Sequence, residues 1–310
     1  MSLETTLDTK TPFPLAIDDE FSPLSSVIIG LGAPYQPDKE QVAGEMQEFP
    51  FIPDTERKAE VLALTYPDEA ILEREFADYV AVLARYGIEV LRADPALAYS
   101  FDYTCPRDIG FVIGDTFFIA NMSVSSRAEE YKTIMPLLEH LPAEKVIRPP
   151  DGVVIEGGDV VVLDERTILV GVNQRTHASG YEFLRDYFRD TDYEVVPVPH
   201  RQLHLDCCLN PLGLGHLLIH SDSLLVDDEP VWQVLKQREW VEIDAVEREH
   251  LATNMLSIRP DTVIARDHSA CARVNEVLRE LGYTVEEVGF DGVPAVGGSF
   301  RCASLVLARG

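Results

Sequence analysis

The chain of 310 residues contains no uninterrupted apolar run of the roughly 18 residues a membrane-crossing helix needs. Its first ten residues, MSLETTLDTK, are acidic and polar, without the basic flank and apolar stretch of a secretory leader. A cytoplasmic location is therefore expected. Basic residues are scarce: 26 Lys and Arg face 53 Asp and Glu, a net charge of −27. Such a field repels phosphate backbones and anionic lipid, so neither nucleic acid nor membrane is expected as a partner, whereas a small cation would be drawn in. The five cysteines, Cys105, Cys207, Cys208, Cys271 and Cys302, include no Cys-x-x-Cys pair. An odd number without that pairing argues against a disulfide framework and structural zinc, and no metal is expected. A phosphate-cradling loop is missing too, because Gly30-Leu31-Gly32 lacks its third glycine and no GxxxxGK[ST] occurs; no cofactor is expected.

What is present suffices for a large core, with 46% hydrophobic and 25% charged residues. One unit recurs along the chain: an apolar strand or strand pair, an amphipathic helix, then a short exit strand. Strands are predicted over Ser26 to Gly30, Gly110 to Ala120, Val160 to Val170, Gly215 to His220 and Thr262 to Ala265. The exit strands are Ile88 to Leu91, Lys145 to Arg148, Tyr193 to Val196, Trp240 to Ile243 and Tyr283 to Glu286. Helical patterns run from Leu72 to Tyr86, Ser126 to Leu141, Ala178 to Phe188 and Ser269 to Leu281, with a weaker one before Trp240. Five mixed units without a flexible linker predict one α/β domain over residues 21–310 behind a tail of residues 1–20. A doubly wound sheet is the periodicity's equal alternative. Pro34 to Pro67, rich in Pro, Glu and Asp, reads as a long loop or flap.

Four polar segments sit at the ends of apolar strands: Cys105-Pro106-Arg107-Asp108, Glu156-Gly157-Gly158-Asp159, His204-Leu205-Asp206-Cys207-Cys208 and Gly297-Gly298-Ser299-Phe300-Arg301-Cys302. Singly, each has an ordinary reading: a turn, a loop charge or a core thiol. His204 and Asp206, two apart on a strand, would share a face, while Cys207 and Cys208 would point oppositely. His177, His200, His216, His220 and His268 lack such polar company and read as surface or packing residues. Jointly the segments offer a thiol, a His beside an Asp, and further carboxylates. Nearby anions raise a thiol's pKa unless a cation neutralises them, and the planar cation that carboxylates grip in bidentate fashion is a guanidinium. A small cationic guanidino compound is the expected ligand.

In this order and spacing the segments resemble those of the guanidino-group modifying superfamily of arginine deiminases, dimethylarginine dimethylaminohydrolases and amidinotransferases. The resemblance runs from Phe21 to Gly310 and implies a single-domain, pentein-type α/β fold, a pseudo-fivefold ββαβ propeller. It implies Cys302 as the nucleophile, His204 as the general acid and base, and Glu156 as the carboxylate orienting His204. Asp108 and Asp206 would grip the guanidinium, Asp159 would support the site, and Arg127 and Arg175 would bind a substrate α-carboxylate. Cys-Pro-Arg-Asp and Gly-Gly-Ser-Phe-Arg-Cys look like amidinotransferases, whereas Glu-Gly-Gly-Asp looks like the hydrolases.

The expected activity is cysteine-dependent hydrolysis of the guanidino C–N bond of arginine or an N-substituted arginine through an amidino-Cys302 intermediate. The alternative is an amidinotransferase passing the same group to an amine. A non-catalytic arginine-binding protein and an unrelated Cys peptidase are weaker, since the first would not need the whole catalytic set and the second would not need so many anions. A homo-oligomer is compatible with the sequence.

Overall fold

The computed structural model describes residues 13–32, 69–97, 103–227, 229–295 and 297–310. Among the described residues, fifteen strands form five three-stranded sheets. The first joins β1 (Leu24–Ile29), β2 (Glu89–Arg92) and β15 (Ser304–Arg309); the second β3 (Gly110–Ile113), β4 (Thr116–Ile119) and β5 (Val146–Ile147). The third holds β6 (Val160–Asp164), β7 (Thr167–Val172) and β8 (Glu194–Pro199), and the fourth β9 (Leu209–Pro211), β10 (His216–Ile219) and β11 (Glu239–Glu242). The fifth is β12 (Leu256–Arg259), β13 (Thr262–Arg266) and β14 (Thr284–Val288).

Every sheet has one plan. The central strand pairs antiparallel with one neighbour and parallel with the other. A parallel partner requires a crossover, which is where the helices fall. The helix Glu69–Arg85 precedes β2, and the helices Ala178–Tyr187, Glu229–Leu235 and Ala272–Glu280 precede β8, β11 and β14. The first sheet takes its antiparallel member from the C-terminal end of the chain, with Val27 opposite Val306 and Ile29 opposite Ser304.

The apolar periodicity has its physical origin in burial. Helix Glu69–Arg85 buries Leu72, Phe76, Tyr79, Val82 and Leu83, the one-sided spacing of an amphipathic helix. Phe300 stacks on Phe290 at 4.4 Å between ring centroids and meets Tyr79 at 5.0 Å. That aromatic cluster anchors the turn two residues before Cys302.

Two expectations need correction. The pattern over Ser126 to Leu141 is not one helix but the 3-10 turns Ser125–Arg127 and Glu130–Thr133 followed by a single turn at Met135–Leu138. Pro136 lacks a helix-donating N–H, and Arg127 and Glu130 are turned into the interior. The chain is tied into the fold before residue 21: Ala16 bridges to Ala308, Ile17 bridges to Gly114, and Glu20 is buried. Strands β9, β12 and β15 were hidden in the sequence by the turn residues and polar motifs beside them. The stretch Pro34 to Pro67 lies outside the described residues. Among the described residues, no helix is long and apolar enough to cross a membrane.

Candidate active site

The plan of the sheets explains where the polar segments go. The segments 105–108, 156–159, 204–208 and 299–302 each stand just before the first strand of an antiparallel pair, β3, β6, β9 and β15. Asn254 holds the corresponding place before β12. Backbone hydrogen bonds join these turns: Arg107 N–H donates to the Cys302 carbonyl at 3.1 Å, Gly157 N–H to the Asp108 carbonyl at 3.0 Å, and Arg301 N–H to the Asn254 carbonyl at 3.1 Å.

The glycine pair of Glu-Gly-Gly-Asp is set by this close approach. A Cβ on Gly157 would stand 2.1 Å from the Arg107 carbonyl oxygen, and one on Gly158 2.6 Å from the His204 ring. Both are buried in the 3-10 turn Gly157–Asp159, so the pair is a packing requirement and not a flexible joint. A Cβ on Gly298 would likewise meet the Cys105 sulfur at 2.5 Å.

His204 lies between two carboxylates, with Nε2 2.8 Å from Glu156 Oε2 and Nδ1 3.4 Å from Asp108 Oδ1. All three side chains are buried. Burial alone would lower the imidazole pKa, but Asp108, Glu156 and Asp159 outweigh it and raise it to about 10. His204 is therefore an imidazolium at neutral pH. Burial pushes the Glu156 carboxyl up, yet Arg175 and His204 hold it well below the usual range. Its Oε1 accepts from the N–H and the hydroxyl of Ser123, both at 2.8 Å.

Cys302 Sγ is 3.9 Å from Asp206 Oδ1. Hydrogen bonds from the Cys105 and Cys207 thiols, helped by the charge on His204, hold the Cys302 pKa well below that of an ordinary thiol against the effect of burial. Burial and the adjacent Cys302 sulfur push Asp206 well above the carboxylate range, although Arg301, His204 and Arg107 oppose them. Two acids this close cannot both ionise cheaply in a buried site. One negative charge accordingly serves the pair.

Beneath them lies a charge cluster absent from the sequence reading. Glu20 Oε1 pairs with Arg301 at 2.8 Å and Arg107 at 3.1 Å, and Arg301 Nε approaches Asp206 at 3.6 Å. Positive charge near the thiol thus comes from the protein as well as from any cationic ligand. Arg107 and Arg301 stood inside the motifs already quoted. Glu20 carried no local signal, since only the tertiary fold brings it there.

The other residues are placed as follows. Arg127 donates to Asp108 Oδ2 at 2.7 Å and Glu130 Oε2 at 2.9 Å; Arg175 donates to Glu156 Oε2 at 2.8 Å. Both are buried. They stand at the site as internal ion-pair partners, not at a surface. Asp159 Oδ1 accepts from Leu205 N–H at 2.8 Å and lies 2.9 Å from His200 Nε2, which braces the turn bearing His204. His200 is thereby corrected from a residue without polar company to a buried partner of Asp159. The segment His204 to Cys208 is also corrected, from a strand to a 3-10 turn at Leu205–Cys207 closed by Cys207 N–H on the His204 carbonyl. Cys208 packs in an apolar cluster with Leu205 and Leu209. Asp206, Cys207 and Cys302 put one oxygen and two sulfurs within 4.8 Å of one another, a donor set of the kind a soft cation accepts.

Residues 57–308 match the family described as N,N dimethylarginine dimethylhydrolase, eukaryotic. The uncharacterized protein YkgA of Bacillus subtilis (strain 168) is 34% identical over 206 residues, covering 66% of this chain and 69% of that one. An arginine deiminase of Pediococcus pentosaceus is 26% identical over 247 residues, 66% of this chain, and the match spans 60% of the deiminase's length. Among solved structures, an amidinotransferase from Microseira wollei aligns with TM-score 0.75 and 21% identity over 96% of this chain and 98% of its own. A dimethylarginine dimethylaminohydrolase from Pseudomonas aeruginosa, complexed with citrulline, aligns with TM-score 0.69 and 20% identity over 92% and 99%. These structural likenesses concern the fold. The family match covers most of the chain, and the chain belongs to the N,N-dimethylarginine dimethylhydrolase family of the guanidino-group modifying superfamily.

Proposed function

We propose that this protein is a cysteine-dependent hydrolase of the guanidino C–N bond of arginine or an N-substituted arginine, on a scaffold whose five sheets form a pseudo-fivefold propeller. The observation that carries the reading is the buried grouping of Cys302 with Asp206 and of His204 with Glu156 and Asp108. A guanidinium gripped by Asp108 and Asp206 supplies the positive charge that lets Asp206 ionise beside the Cys302 thiolate. The thiolate attacks the guanidinium carbon, and the His204 imidazolium gives its proton to the departing nitrogen as the C–N bond breaks. Water then attacks the amidino-thioether while neutral His204 takes its proton. Breaking the C–S bond returns the thiolate and releases a ureido acid. Glu156 orients His204, and Asp159 holds its turn.

Arg127 and Arg175 take the α-carboxylate in this reading, with Asp108 and Glu156 fixing their planes. The substrate carboxylate then joins or displaces an internal ion pair.

The amidinotransferase reading keeps the first half of the reaction and replaces water by an amine. The likeness to the Microseira wollei amidinotransferase motivates it. The close packing of Gly157 and Gly158 makes that turn rigid and favours neither acceptor, so the preference for hydrolysis rests on the family match. The deciding experiment uses arginine and methylated arginines in ¹⁸O-labelled water, with and without excess glycine and other primary amines. Labelled ureido product at a rate independent of amine is expected. Amine-dependent turnover with ornithine release and a new guanidino compound would establish the transferase, and turnover of no guanidino compound would overturn both.

A further inference from the structure

Three of the five cysteines converge on the site, although the proposed reaction needs one. Cys302 and Cys207 place their sulfurs within 4.8 Å of each other and of an Asp206 oxygen. Cys207 Sγ lies 3.6 Å from Asp206 Oδ1, the same oxygen that lies 3.9 Å from Cys302 Sγ. Cys105 borders the nucleophile from the opposite turn, across Gly298. Cys208 faces the other way, its thiol on the Leu205 carbonyl at 3.4 Å. The convergence is therefore specific to particular cysteines.

We propose that Cys302 is a hydroperoxide-sensitive modification site and that Cys207 is its resolving thiol, closing a reversible Cys207–Cys302 disulfide. Cys302 is buried, so the oxidant must be small and must enter by the route the substrate takes. The low thiol pKa argued above favours the thiolate that peroxides attack. In the first step the Cys302 thiolate attacks the distal peroxide oxygen, the O–O bond breaks, and the alkoxide or hydroxide takes a proton from the His204 imidazolium. Sulfur is oxidised by two electrons and the peroxide is reduced. In the second, the Cys207 sulfur attacks the Cys302 sulfenic sulfur while the carboxyl proton of Asp206 passes to the departing oxygen and the Cys207 proton takes its place on Asp206. The S–O bond breaks, the S–S bond forms, and the departing oxygen takes the proton and leaves as water. Closing the disulfide brings the two sulfurs from within 4.8 Å to about 2.05 Å, a movement assigned to side-chain rotation at the two cysteines. Cys207 thereby protects Cys302 from irreversible sulfinic acid.

Only the activity readout rests on the reading of Cys302 as nucleophile; the peptide map stands without it. Reduced full-length protein is treated with hydrogen peroxide, blocked with N-ethylmaleimide and digested with trypsin, which places Cys302, Cys207 and Cys105 on three different peptides. A crosslink between the Cys207 and Cys302 peptides is expected, with at least a tenfold loss of turnover that dithiothreitol restores. In Cys207→Ser the loss becomes permanent, scored against that variant's own untreated rate, and sulfinic acid accumulates at Cys302. Cys208→Ser behaves like the natural protein. A Cys105–Cys302 crosslink, or sulfinic acid at Cys302 of the natural protein without any crosslink, overturns the assignment of Cys207. A Cys207–Cys302 crosslink in a protein that turns over no guanidino compound would sustain the disulfide and sink the proposed function instead.

Discussion

Asn254 ties Cys302 to Asp206: its Oδ1 accepts the backbone N–H of Ser299 at 3.0 Å and of Cys302 at 3.1 Å, while its Nδ2 donates to the Asp206 carbonyl at 3.3 Å. One buried amide thus sets the spacing between sulfur and carboxylate. Asn254→Ala leaves two interior N–H groups without their acceptor and is expected to cost about 2 to 4 kcal/mol of stability. Asn254→Asp keeps the acceptor but turns an oxygen toward the Asp206 carbonyl. Its kcat should fall with little change in KM, and the pH profile of Cys302 alkylation should shift. A purely structural Asn254 would lower Tm and leave that profile unmoved.

For the nucleophile the expectation is selective. Cys302→Ser should lose at least about a thousandfold in kcat/KM, because serine's hydroxyl is not ionised by hydrogen bonds that suffice for a thiol. Cys208→Ser and Cys271→Ser should retain most activity. Acid quenching during turnover should show the natural protein carrying an amidino mass on the peptide of Cys302. Substantial turnover by Cys302→Ser would end the covalent mechanism.

Asp206 and Asp108 differ in their partners, and isosteric replacement separates them. Asp206 shares its charge with Cys302 in the free enzyme, so Asp206→Asn should leave alkylation of the free thiol nearly unchanged. Substrate binding should weaken by roughly 1.5 to 3 kcal/mol, since the charge-assisted grip forms only with the guanidinium. Asp108 lies beside His204 and Arg127. Asp108→Asn should therefore weaken binding and also lower the His204 pKa, read by NMR of the imidazole. Equal behaviour of the two variants would refute the shared charge.

The sequence carried the four polar segments because each is a contiguous motif at a strand end, and apolar periodicity carried the five units. It did not carry Asn254, whose Thr-Asn-Met setting has no motif character; the repeat does, since every other unit places one of the four polar segments just before its first strand. Glu20 was illegible for another reason. Its partners are 87 and 281 positions away in the chain, at Arg107 and Arg301, and only the tertiary fold joins them. Arg127 and Arg175 were legible as site residues, but their pairing with Asp108 and Glu156 depends on which turns touch.

His204 predicts a stability effect on the alkaline side. Its pKa is raised from an ordinary imidazole's 6.5 to about 10 on folding, so its contribution is complete below the lower value and is lost as pH rises through the upper one. Urea denaturation between those limits should show falling stability for the natural protein. His204→Gln should be less stable at pH 6 and flatter across the window. Parallel curves for the two proteins would mean that His204 is neutral in the fold.

Glu20 makes the opposite acid-side prediction and tests whether the segment before residue 21 belongs to the site. Burial pushes its carboxyl up, but Arg301, Arg107 and Arg309 outweigh it and bring the pKa from 4.5 down to about 2. A depressed value contributes stability that is complete above the ordinary carboxylate range and is lost as pH falls toward the lower value. Glu20→Gln keeps the shape and removes the charge, leaving three buried arginines short of a counter-charge. Breaking a buried ion pair on one side costs about 3 to 5 kcal/mol, and the loss should be largest at neutral pH and vanish near pH 2. Arg301 also approaches Asp206, so the freed guanidinium turns toward that carboxylate and lowers its pKa. With Asp206 ionised before substrate arrives, the Cys302 thiol becomes harder to deprotonate, and its alkylation by iodoacetamide should move to higher pH. A Glu20→Gln protein with unchanged thiol reactivity would confine Glu20 to holding the fold.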